Sequence, residues 1–310
     1  MKRPHLILGI GELLWDLLPE GERLGGAPAN FAAMAARLGN HAAILSRIGR
    51  DELGLKAVEC LKLLPIDVRE LQVDPQQETG RVTVAFQSGQ PSYTIHQPAA
   101  WDYLELTDRW AQLAERADAL CFGSLAQRSA PSRQPIQSLV ALSTAACVRL
   151  FDVNLRAPFI SGAVMQKSLE LATVLKMNDA EAPLVLDLLG LPRRPGLPTS
   201  LEWLRLAAER LLMEYPSLRM VAVTRGDHGS LLVTRDEWHE HPGFSVPVAD
   251  TIGAGDAFTA AMTHYLLRGA DLATLNEAGN RWGAWVAQHS GAMPHLPDSV
   301  RERIAAEIEG

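Results

Sequence analysis

The sequence has few lysines and few cysteines, and these shortages exclude two common kinds of site. Only five of its 310 residues are lysine, and none of the five follows a glycine. A Walker-type phosphate loop needs a Gly-Lys pair, so that class of nucleotide site is excluded. Cys60, Cys121 and Cys147 lie far apart, are odd in number and lack metal-ligand spacing. We therefore expect reduced thiols in the core of a cytoplasmic protein.

Long apolar runs and an excess of basic charge are also missing. A membrane-spanning helix needs about 20 consecutive apolar residues, and no run here comes close to that length. The apolar run that follows the basic residues Lys2 and Arg3 ends before Glu12, and we expect it to be too short for a signal peptide. The formal net charge of −7 provides no basic field for nucleic acid. We expect neither a membrane nor a nucleic-acid partner.

The chain does contain short apolar runs that alternate with helical patterns. Six runs are candidates for buried strands: 6–10, 42–45, 119–122, 148–151, 173–177 and 220–223. Their alternation with helices predicts an α/β fold, with a mostly parallel sheet covered by helices on both faces. With 47% hydrophobic and 21% charged residues, the chain suits one large domain, 1–310, with or without a small appendage.

Polar residues follow these runs, among them Glu12, Ser124, Asp152, Asn178 and Thr224. In open α/β sheets ligands bind outside the carboxyl ends of the strands. Loop tips are usually polar, so each residue alone decides little. Taken together, they predict one crevice at that edge of the sheet.

Residues 81–96 break the helix–strand alternation. Period-two patterns at 81–87 and 92–96 flank a turn with glycine and proline, which predicts an antiparallel hairpin. The hairpin is either a lid that excludes water from a reacting phosphate, or an edge element that extends the sheet or meets a second subunit. We also expect a surface loop at the proline-rich segment 191–200.

Near the C-terminus, residues 250–256 read DTIGAGD and lead into an apolar helical pattern that Gly269 ends. Two glycines thus stand where a loop enters a helix. The unpaired N–H groups and the dipole at such an end bind anions without a lysine. Asp256 lies in the first turn, and the helix end should keep its carboxylate ionised near neutral pH. An anion site beside a base suits phosphoryl transfer to an alcohol.

This segment has other interpretations. Asp256 could only satisfy the helix dipole, an effect of about 0.3–1 kcal/mol. A dinucleotide fingerprint fits poorly, because Phe258 occupies the third glycine position and Asp256 would repel a pyrophosphate. The N-terminal Gly9 and Gly11 fail as a dehydrogenase fingerprint because Leu14 takes the place of the third glycine.

Residues 25–30 read GGAPAN and open a second predicted helix, which Gly39 ends. The two glycines let a ligand approach the backbone closely. Asn30 offers a donor and acceptors to a hydroxylated ligand. Taken alone, the segment is equally consistent with a well-capped helix.

Together, GGAPAN and DTIGAGD strongly resemble the two signatures of ribokinase-type (PfkB) carbohydrate kinases. Three motifs between them agree with this family: DVNLR at 152–156, NDAE at 178–181 and TRGDHG at 224–229. The resemblance runs from about residue 9 to residue 294. It implies a ribokinase-like three-layer sandwich with a central mostly parallel sheet. It also implies a small β lid formed by about 12–27 and 79–100.

The resemblance implies ATP as the phosphate donor. Asp256 would take the proton from the sugar hydroxyl as that hydroxyl attacks the γ-phosphate. The N–H groups of Gly253, Ala254 and Gly255 would form the anion hole. Asn178 and Glu181 match a motif that governs Mg²⁺ placement through waters, the alternative being a helix N-cap with an acidic first turn. Four further residues match nucleotide-binding positions: Thr224, Gly226 and Gly229 near the phosphates and ribose, and Asn280 in the adenine pocket.

Two further sites are implied in the same way. Asp250 and the carbonyl of Ile252 match a monovalent-cation (K⁺) site that some members use. Asp16, Gly26 and Asn30 match hydroxyl-binding positions, and a carboxylate that accepts two hydroxyls discriminates between sugars. The alternative for Asp16 is an ordinary surface turn.

The acceptor is best described as fructose-like. Pro28 within GGAPAN, together with DVNLR, looks most like the fructokinase branch, whereas His96 stands where fructokinases often have arginine. Arg156 could contact a phosphate or the lid, or read a sugar-acid carboxylate. A 2-keto-3-deoxygluconate kinase is therefore an alternative, followed by ribokinase-like and nucleoside kinases. A catalytically silent nucleotide- or sugar-binding regulator is the alternative of another class.

Overall fold

The structure, a computed structural model, describes residues 4–18, 21–87, 90–192 and 200–309. The strands are β1 (Leu6–Ile10), β2 (Leu14–Leu18), β3 (Gly21–Gly25), β4 (His41–Leu45), β5 (Arg47–Gly49), β6 (Gln72–Asp74), β7 (Gly80–Gln87), β8 (Gln90–Ile95), β9 (Ala119–Gly123), β10 (Val148–Asp152), β11 (Val174–Asn178), β12 (Met220–Thr224), β13 (Ser230–Thr234) and β14 (Trp238–His241). The α-helices are α1 (Ala27–Arg37), α2 (Glu52–Lys62), α3 (Asp108–Arg116), α4 (Ala130–Leu142), α5 (Gly162–Leu171), α6 (Glu181–Leu188), α7 (Leu201–Glu214), α8 (Ala254–Leu266), α9 (Leu272–Ala287) and α10 (Asp298–Glu309).

Eight strands form a central sheet in the order β14-β13-β12-β11-β10-β9-β1-β4. The six strands from β12 to β4 run parallel, whereas β13 and β14 are antiparallel to their neighbours. The six parallel strands are the six apolar runs of the sequence, each within one residue of its predicted bounds. The prediction of a mostly parallel sheet is confirmed.

Helices cover both faces of this sheet. Side chains of a strand point alternately to its two faces. Accordingly, Leu8 and Ile10 of β1 pack with α3 to α7, while Ile7 packs with α1, α2, α8, α9 and α10. The arrangement is the predicted three-layer sandwich. The helices on both faces pack against the sheet, and the carboxyl ends of its strands carry the polar residues.

A second sheet of four strands has the order β3-β2-β7-β8. Its strands lie inside the predicted lid segments 12–27 and 79–100. Strands β7 and β8 form the predicted antiparallel hairpin, and β2 pairs antiparallel with β3 and parallel with β7. The hairpin therefore belongs to this separate sheet and does not extend the central one. Its turn residues 88 and 89 lie outside the described residues.

Cys121 and Cys147 are buried free thiols, as expected, but Cys60 is exposed. The core prediction was wrong for Cys60 because α2 buries Ala57 and Leu61, leaving Cys60 on the outer side of the helix. Among the described helices, none is long and apolar enough to cross a membrane. In the proline-rich segment 191–200, residues 193–199 lie outside the described residues.

Candidate active site

The polar residues predicted to share one crevice lie at one edge of the central sheet. Asp152, Asn178 and Thr224 are the last residues of β10, β11 and β12, which are parallel neighbours. Asn178 is directly in register with Thr224, and the N–H of Asp179 donates to the Thr224 carbonyl at 2.9 Å. The parallel topology thus gathers three motifs that are far apart in the chain.

The two glycine motifs meet through a hydrogen bond. Helices α1 and α8 pack against each other, and Asn30 Nδ2 donates to Asp256 Oδ2 at 2.7 Å. Asn30 is 5% exposed, and its Oδ1 is buried with no hydrogen-bond partner among the described residues. Such an acceptor is costly to leave unpaired. A ligand hydroxyl beside Asp256 would satisfy it.

The carboxyl of Asp256 has its pKa raised from 3.8 to about 6. Burial is the largest cause of this rise, and the nearby Asp152 carboxylate adds to it. The Asn30 hydrogen bond and the positive charges of Lys176 and Arg156 lower the pKa and so oppose the rise. We expected the helix end to favour the ionised form, but burial outweighs the dipole. At neutral pH the group is still mostly ionised, and it is more basic than an ordinary carboxylate.

The loop before α8 has the geometry that its glycines predict. Gly253 is the N-cap with φ +80°, and no side chain caps the helix. A Cβ at Gly253 would lie 2.6 Å from Ala292 Cα, so this position excludes other residues by space as well as by conformation. No side chain caps the first turn of α8, as a backbone anion site requires, while the Ala254 N–H donates to the Thr251 carbonyl at 3.3 Å.

A buried ion pair lies under this loop, and the motifs did not predict it. Lys176 Nζ stands 3.1 Å from Asp152 Oδ1, with both side chains less than a tenth exposed. A Cβ at Gly255 would lie 3.2 Å from the same ammonium. Burial opposes the charged form, yet Asp152, Glu181 and Asp256 together raise the pKa of Lys176. The clue in the sequence was a lysine within the otherwise apolar run 173–177.

Glu12 is a second residue whose role the sequence did not reveal. It follows β1, is 3% exposed, and its Oε2 has no hydrogen-bond partner in the described structure. The start of α1 covers it, since a Cβ at Gly26 would lie 2.4 Å from the Glu12 carbonyl oxygen. Burial, with a smaller contribution from Asp256, raises the pKa of Glu12 from 4.5 to about 7, against the charge of Arg156. Sequence position placed Glu12 only among the polar strand ends.

Asp16 and Arg156 belong to the same group of charges. Asp16 lies within β2 and not in a turn, and its Oδ2 is 3.1 Å from where a Cβ of Gly25 would stand. Burial raises the pKa of Asp16, whereas Arg156 lowers it. Arg156 is exposed, and its positive charge also acts on Glu12 and Asp256. The positive charge of Arg156 therefore acts on Glu12, Asp16 and Asp256 together.

Asn178 and Glu181 bond reciprocally at the start of α6. The Asn178 N–H donates to Glu181 Oε2 and the Glu181 N–H donates to Asn178 Oδ1, each at 2.8 Å. The Leu155 N–H donates to the other carboxylate oxygen at 2.7 Å. These reciprocal bonds resemble a capping box and so agree in part with the interpretation that competed with Mg²⁺, although the N-cap residue of α6 is Ala180, without a side-chain cap. Burial raises the pKa of Glu181.

A direct metal cage is not formed here. Within the described ranges, no three acidic, histidine or cysteine side chains cluster to hold a metal ion. Mg²⁺ usually keeps several waters and binds through one or two carboxylates plus substrate phosphates. Glu181 and Asn178 fit such water-mediated placement.

The predicted nucleotide turn follows β12. Gly226 has φ +59° and open space where a Cβ would be, while a Cβ at Gly229 would lie 2.0 Å from the His241 carbonyl oxygen. Asn280 is buried, and its Nδ2 donates to Ser230 Oγ at 2.6 Å. The amide N–H groups of Asn280 are therefore used in a polar network beneath β13. If Asn280 lines an adenine pocket, it does so through its oxygen or as part of the wall.

Asp250, predicted as a cation ligand, is ion-paired with Arg23 of β3. The Arg23 Nη1 donates to Asp250 Oδ2 at 2.7 Å. Nothing in the motifs indicated this contact, because Arg23 lies 227 positions away in the second sheet. The carboxylate that would face a monovalent cation therefore already faces a guanidinium.

Comparisons with known proteins agree with this geometry. Residues 20–299 match the family described as pfkB family carbohydrate kinase. An uncharacterized sugar kinase of Pyrococcus horikoshii is 29% identical over 324 residues, covering 98% of this chain and 97% of that protein. Its crystal structure in complex with ATP matches with a TM-score of 0.80 at 27% identity, covering 97% of this chain and 99% of its own.

Two fructokinases are similarly related. The Escherichia coli fructokinase is 29% identical over 319 residues, covering 96% of this chain and 97% of its own. The Vibrio cholerae O395 fructokinase, bound to fructose, ADP and a calcium ion, matches with a TM-score of 0.78 at 25% identity and covers 97% and 98% of the two chains. The family match spans most of the sequence, and the fold is that of ribokinase-like sugar kinases. The chain therefore belongs to the pfkB family of carbohydrate kinases and is a phosphotransferase that acts on a sugar.

Proposed function

We propose that this kinase transfers the γ-phosphate of ATP to a hydroxyl of fructose or a closely similar sugar. The observation that carries the proposal is the hydrogen bond between Asn30 and Asp256. It joins the sugar-side motif at 25–30 to the phosphate-side motif at 250–256, so an acceptor held by one motif lies beside the base of the other.

Asp256 is the base in this proposal. With a pKa of about 6 it is ionised at neutral pH and takes the proton of the attacking sugar hydroxyl. The sugar oxygen forms a bond to the γ-phosphorus, the bond to the β–γ bridging oxygen breaks, and ADP leaves with that electron pair. A positioned base contributes about 10²–10⁴-fold to such a step.

The loop at the start of α8 would stabilise the transferred phosphoryl group. The N–H groups of Gly253, Ala254 and Gly255 lie at the start of α8, where no side chain caps the helix, and the Ala254 N–H would exchange its 3.3 Å bond to the Thr251 carbonyl for one to the phosphoryl group. The buried ammonium of Lys176 stands directly under Gly255 and adds positive charge to the same place. Fixed donors and charges in a site of low dielectric need no rearrangement as charge develops.

The nucleotide would lie along the ends of β11 and β12. Thr224, Gly226 and Gly229 would contact its phosphates and ribose, with Asn280 in the wall of the adenine pocket. Glu181, together with Asn178, would hold a hydrated Mg²⁺. When bound, that ion neutralises phosphate charge during transfer.

The sugar would lie between the second sheet and α1. Asp16 would accept hydrogen bonds from two hydroxyls, and the Oδ1 atom of Asn30 would accept another. Gly26 would let the sugar approach the backbone, and Arg156 would place a positive charge beside the acidic side chains of the site. The four-stranded sheet would act as the lid that excludes water.

Fructose is favoured by the fructokinase relatives, whereas His96 and Arg156 make a sugar acid the second candidate. His96 stands where fructokinases often have arginine, and its Nε2 atom is hydrogen-bonded to Thr83 Oγ1 at 2.7 Å within the hairpin. Arg156 carries an exposed cation that a carboxylate of 2-keto-3-deoxygluconate would satisfy. Ribose and nucleosides rank below both.

The test is Mg²⁺- and ATP-dependent ADP release with fructose, 2-keto-3-deoxygluconate, ribose and adenosine, each also assayed with the Asp256→Asn variant. We expect fructose to give the highest kcat/KM and the variant to lose turnover. If 2-keto-3-deoxygluconate were preferred, it would replace fructose as the proposed acceptor, and the proposed mechanism would be unchanged. Sugar and ATP binding without turnover on any acceptor would instead indicate a silent regulator. Cytoplasmic location and a homodimer through the lid stay predictions.

A further inference from the structure

Three N–H donors converge on the carboxylate of Asp250. Oδ2 accepts from Arg23 Nη1 at 2.7 Å and from the Gly291 N–H at 3.1 Å, and Oδ1 accepts from the Ile252 N–H at 3.0 Å. The Asp250 side chain is only 14% exposed. One full positive charge and two amide dipoles therefore already balance this carboxylate.

This arrangement does not fit a monovalent-cation site. A potassium ion on Asp250 would stand within a few ångströms of the Arg23 guanidinium. Two like charges at that separation repel each other strongly at a partly buried site. The predicted K⁺ site at Asp250 and Ile252 is therefore incompatible with Arg23 in its present place.

Arg23 also connects two parts of the protein that the proposed reaction uses. It lies on β3 of the second sheet, directly opposite Asp16 of β2. Asp250 opens the segment that leads to Gly253 and α8. The positive charge of Arg23 acts on Asp16 as well. One side chain thus links the sheet proposed as the lid to the loop proposed as the anion hole.

We propose that the Arg23 guanidinium is a built-in replacement for the monovalent cation, so that this kinase works without potassium. Arg23 neutralises Asp250 and holds the segment 250–256 in the conformation that α8 requires. The activity readout of this inference rests on the proposed sugar-kinase function. A stability readout does not depend on the sugar, so the two proposals can fail separately.

The activity test compares ADP release in KCl with ADP release in choline chloride at equal ionic strength. Wild-type kcat is expected to agree within about twofold. Arg23→Gln should lose at least about tenfold in choline chloride, equivalent to about 1.4 kcal/mol of transition-state stabilisation. KCl should restore most of that loss because the Asp250 carboxylate becomes available. Arg23→Lys, which keeps a cation, should lose less.

The matched control is Arg81→Gln. Arg81 lies on β7 of the same sheet and pairs with the exposed carboxylate of Glu78 at 3.0 Å. An exposed ion pair of this kind contributes little to stability. The activities of this variant in KCl and in choline chloride should differ no more than those of wild type.

The second readout is the thermal unfolding midpoint in the same two salts. KCl should raise Tm relative to choline chloride for Arg23→Gln but not for wild type or Arg81→Gln. Activation of wild type by potassium of about tenfold or more, or a potassium-dependent rise in its Tm, would overturn the proposal. An Arg23→Gln variant that KCl neither reactivates nor stabilises would also overturn the proposal, because the guanidinium would then be only a structural contact and not a replacement for the cation. If no sugar is phosphorylated, the Tm comparison still decides the role of Arg23.

Discussion

Asn30 and Asp256 lie 226 positions apart in the chain, and a 2.7 Å hydrogen bond joins their side chains. This bond places an amide of the sugar-side motif on the carboxylate at the start of α8. It leaves Asn30 Oδ1 buried and unpaired within the described structure. The pair is the point where the two halves of the proposed reaction meet, and the first two predictions depend on it.

Asp256→Asn should lower kcat by about 10²–10⁴-fold, because a positioned base is lost. Binding of ATP should stay within a few-fold of wild type, since the backbone donors of the loop are unchanged. Steady-state ADP release and nucleotide titration measure the two effects. The control is Asp108→Asn, which removes an exposed acid from the first turn of another helix, α3. Turnover near the wild-type rate in Asp256→Asn would remove this residue from the mechanism.

The pH profile should report the Asp256 carboxyl. Its folded pKa is about 6, so wild-type kcat/KM, which reports the free enzyme, should rise as pH increases through about 6. The Asn30 hydrogen bond lowers this pKa. Asn30→Ala should therefore move the acidic limb to higher pH, by about one unit for a hydrogen bond to a charged group. An unmoved limb, or one moved to lower pH, would contradict this account of the pair.

Gly253→Ala should be far more harmful than Gly269→Ala. Both glycines have positive φ, +80° and +75°, so each substitution carries a conformational cost of about 1–2 kcal/mol. Only at Gly253 would the new Cβ collide with backbone, 2.6 Å from Ala292 Cα, whereas the space at Gly269 is open. We expect Gly269→Ala to retain activity and Gly253→Ala to lose most of kcat. Equal activities after correction for unfolded protein would argue against a shape-critical loop.

Lys176→Met should destabilise the fold by about 3–5 kcal/mol, because it leaves the buried Asp152 carboxylate without its partner. Lys167→Met is the matched control, since Lys167 forms an exposed pair with Glu170 that is worth at most about 1 kcal/mol. Urea unfolding at neutral pH measures both. Adding Asp152→Asn to Lys176→Met should recover part of the loss. No recovery would mean that packing, and not charge pairing, sets the cost.

Glu12→Gln should change how stability depends on pH. Its folded pKa of about 7 lies above the ordinary 4.5, so the protonated form stabilises the fold fully below about pH 4.5. That contribution is lost as pH rises through about 7. The free energy of unfolding of Glu12→Gln minus that of wild type should therefore increase as pH rises across this window, by at most about 3 kcal/mol.

Urea unfolding of Glu12→Gln at pH 5 and pH 8 tests this sign, with the exposed Glu59→Gln as the control for loss of one carboxylate. The comparison between the two pH values separates the charge effect from any packing defect of the amide. A variant whose difference from wild type does not change between the two values would show that Glu12 is not held neutral in the fold.

Local sequence patterns located most of the architecture correctly. The six buried strands and the start of α8 after Gly253 follow from apolar periodicity and glycine position, which act over a few residues. The same patterns missed Lys176 and placed Glu12 at the crevice without indicating that its carboxyl is buried. Both properties depend on residues that pack over these side chains, and the local sequence around Lys176 or Glu12 carries no record of them.

The fold class, the parallel strands and the motifs that mark a carbohydrate kinase can all be read from the chain, because each rests on short-range spacing. The electrostatics of the site depend instead on how the layers pack. Burial raises the pKa of Asp256 where the helix dipole alone would lower it, and Arg23 reaches Asp250 from another sheet. Solvation and pairing depend on neighbours more than a hundred positions away in the chain, so they arise only when the layers pack together.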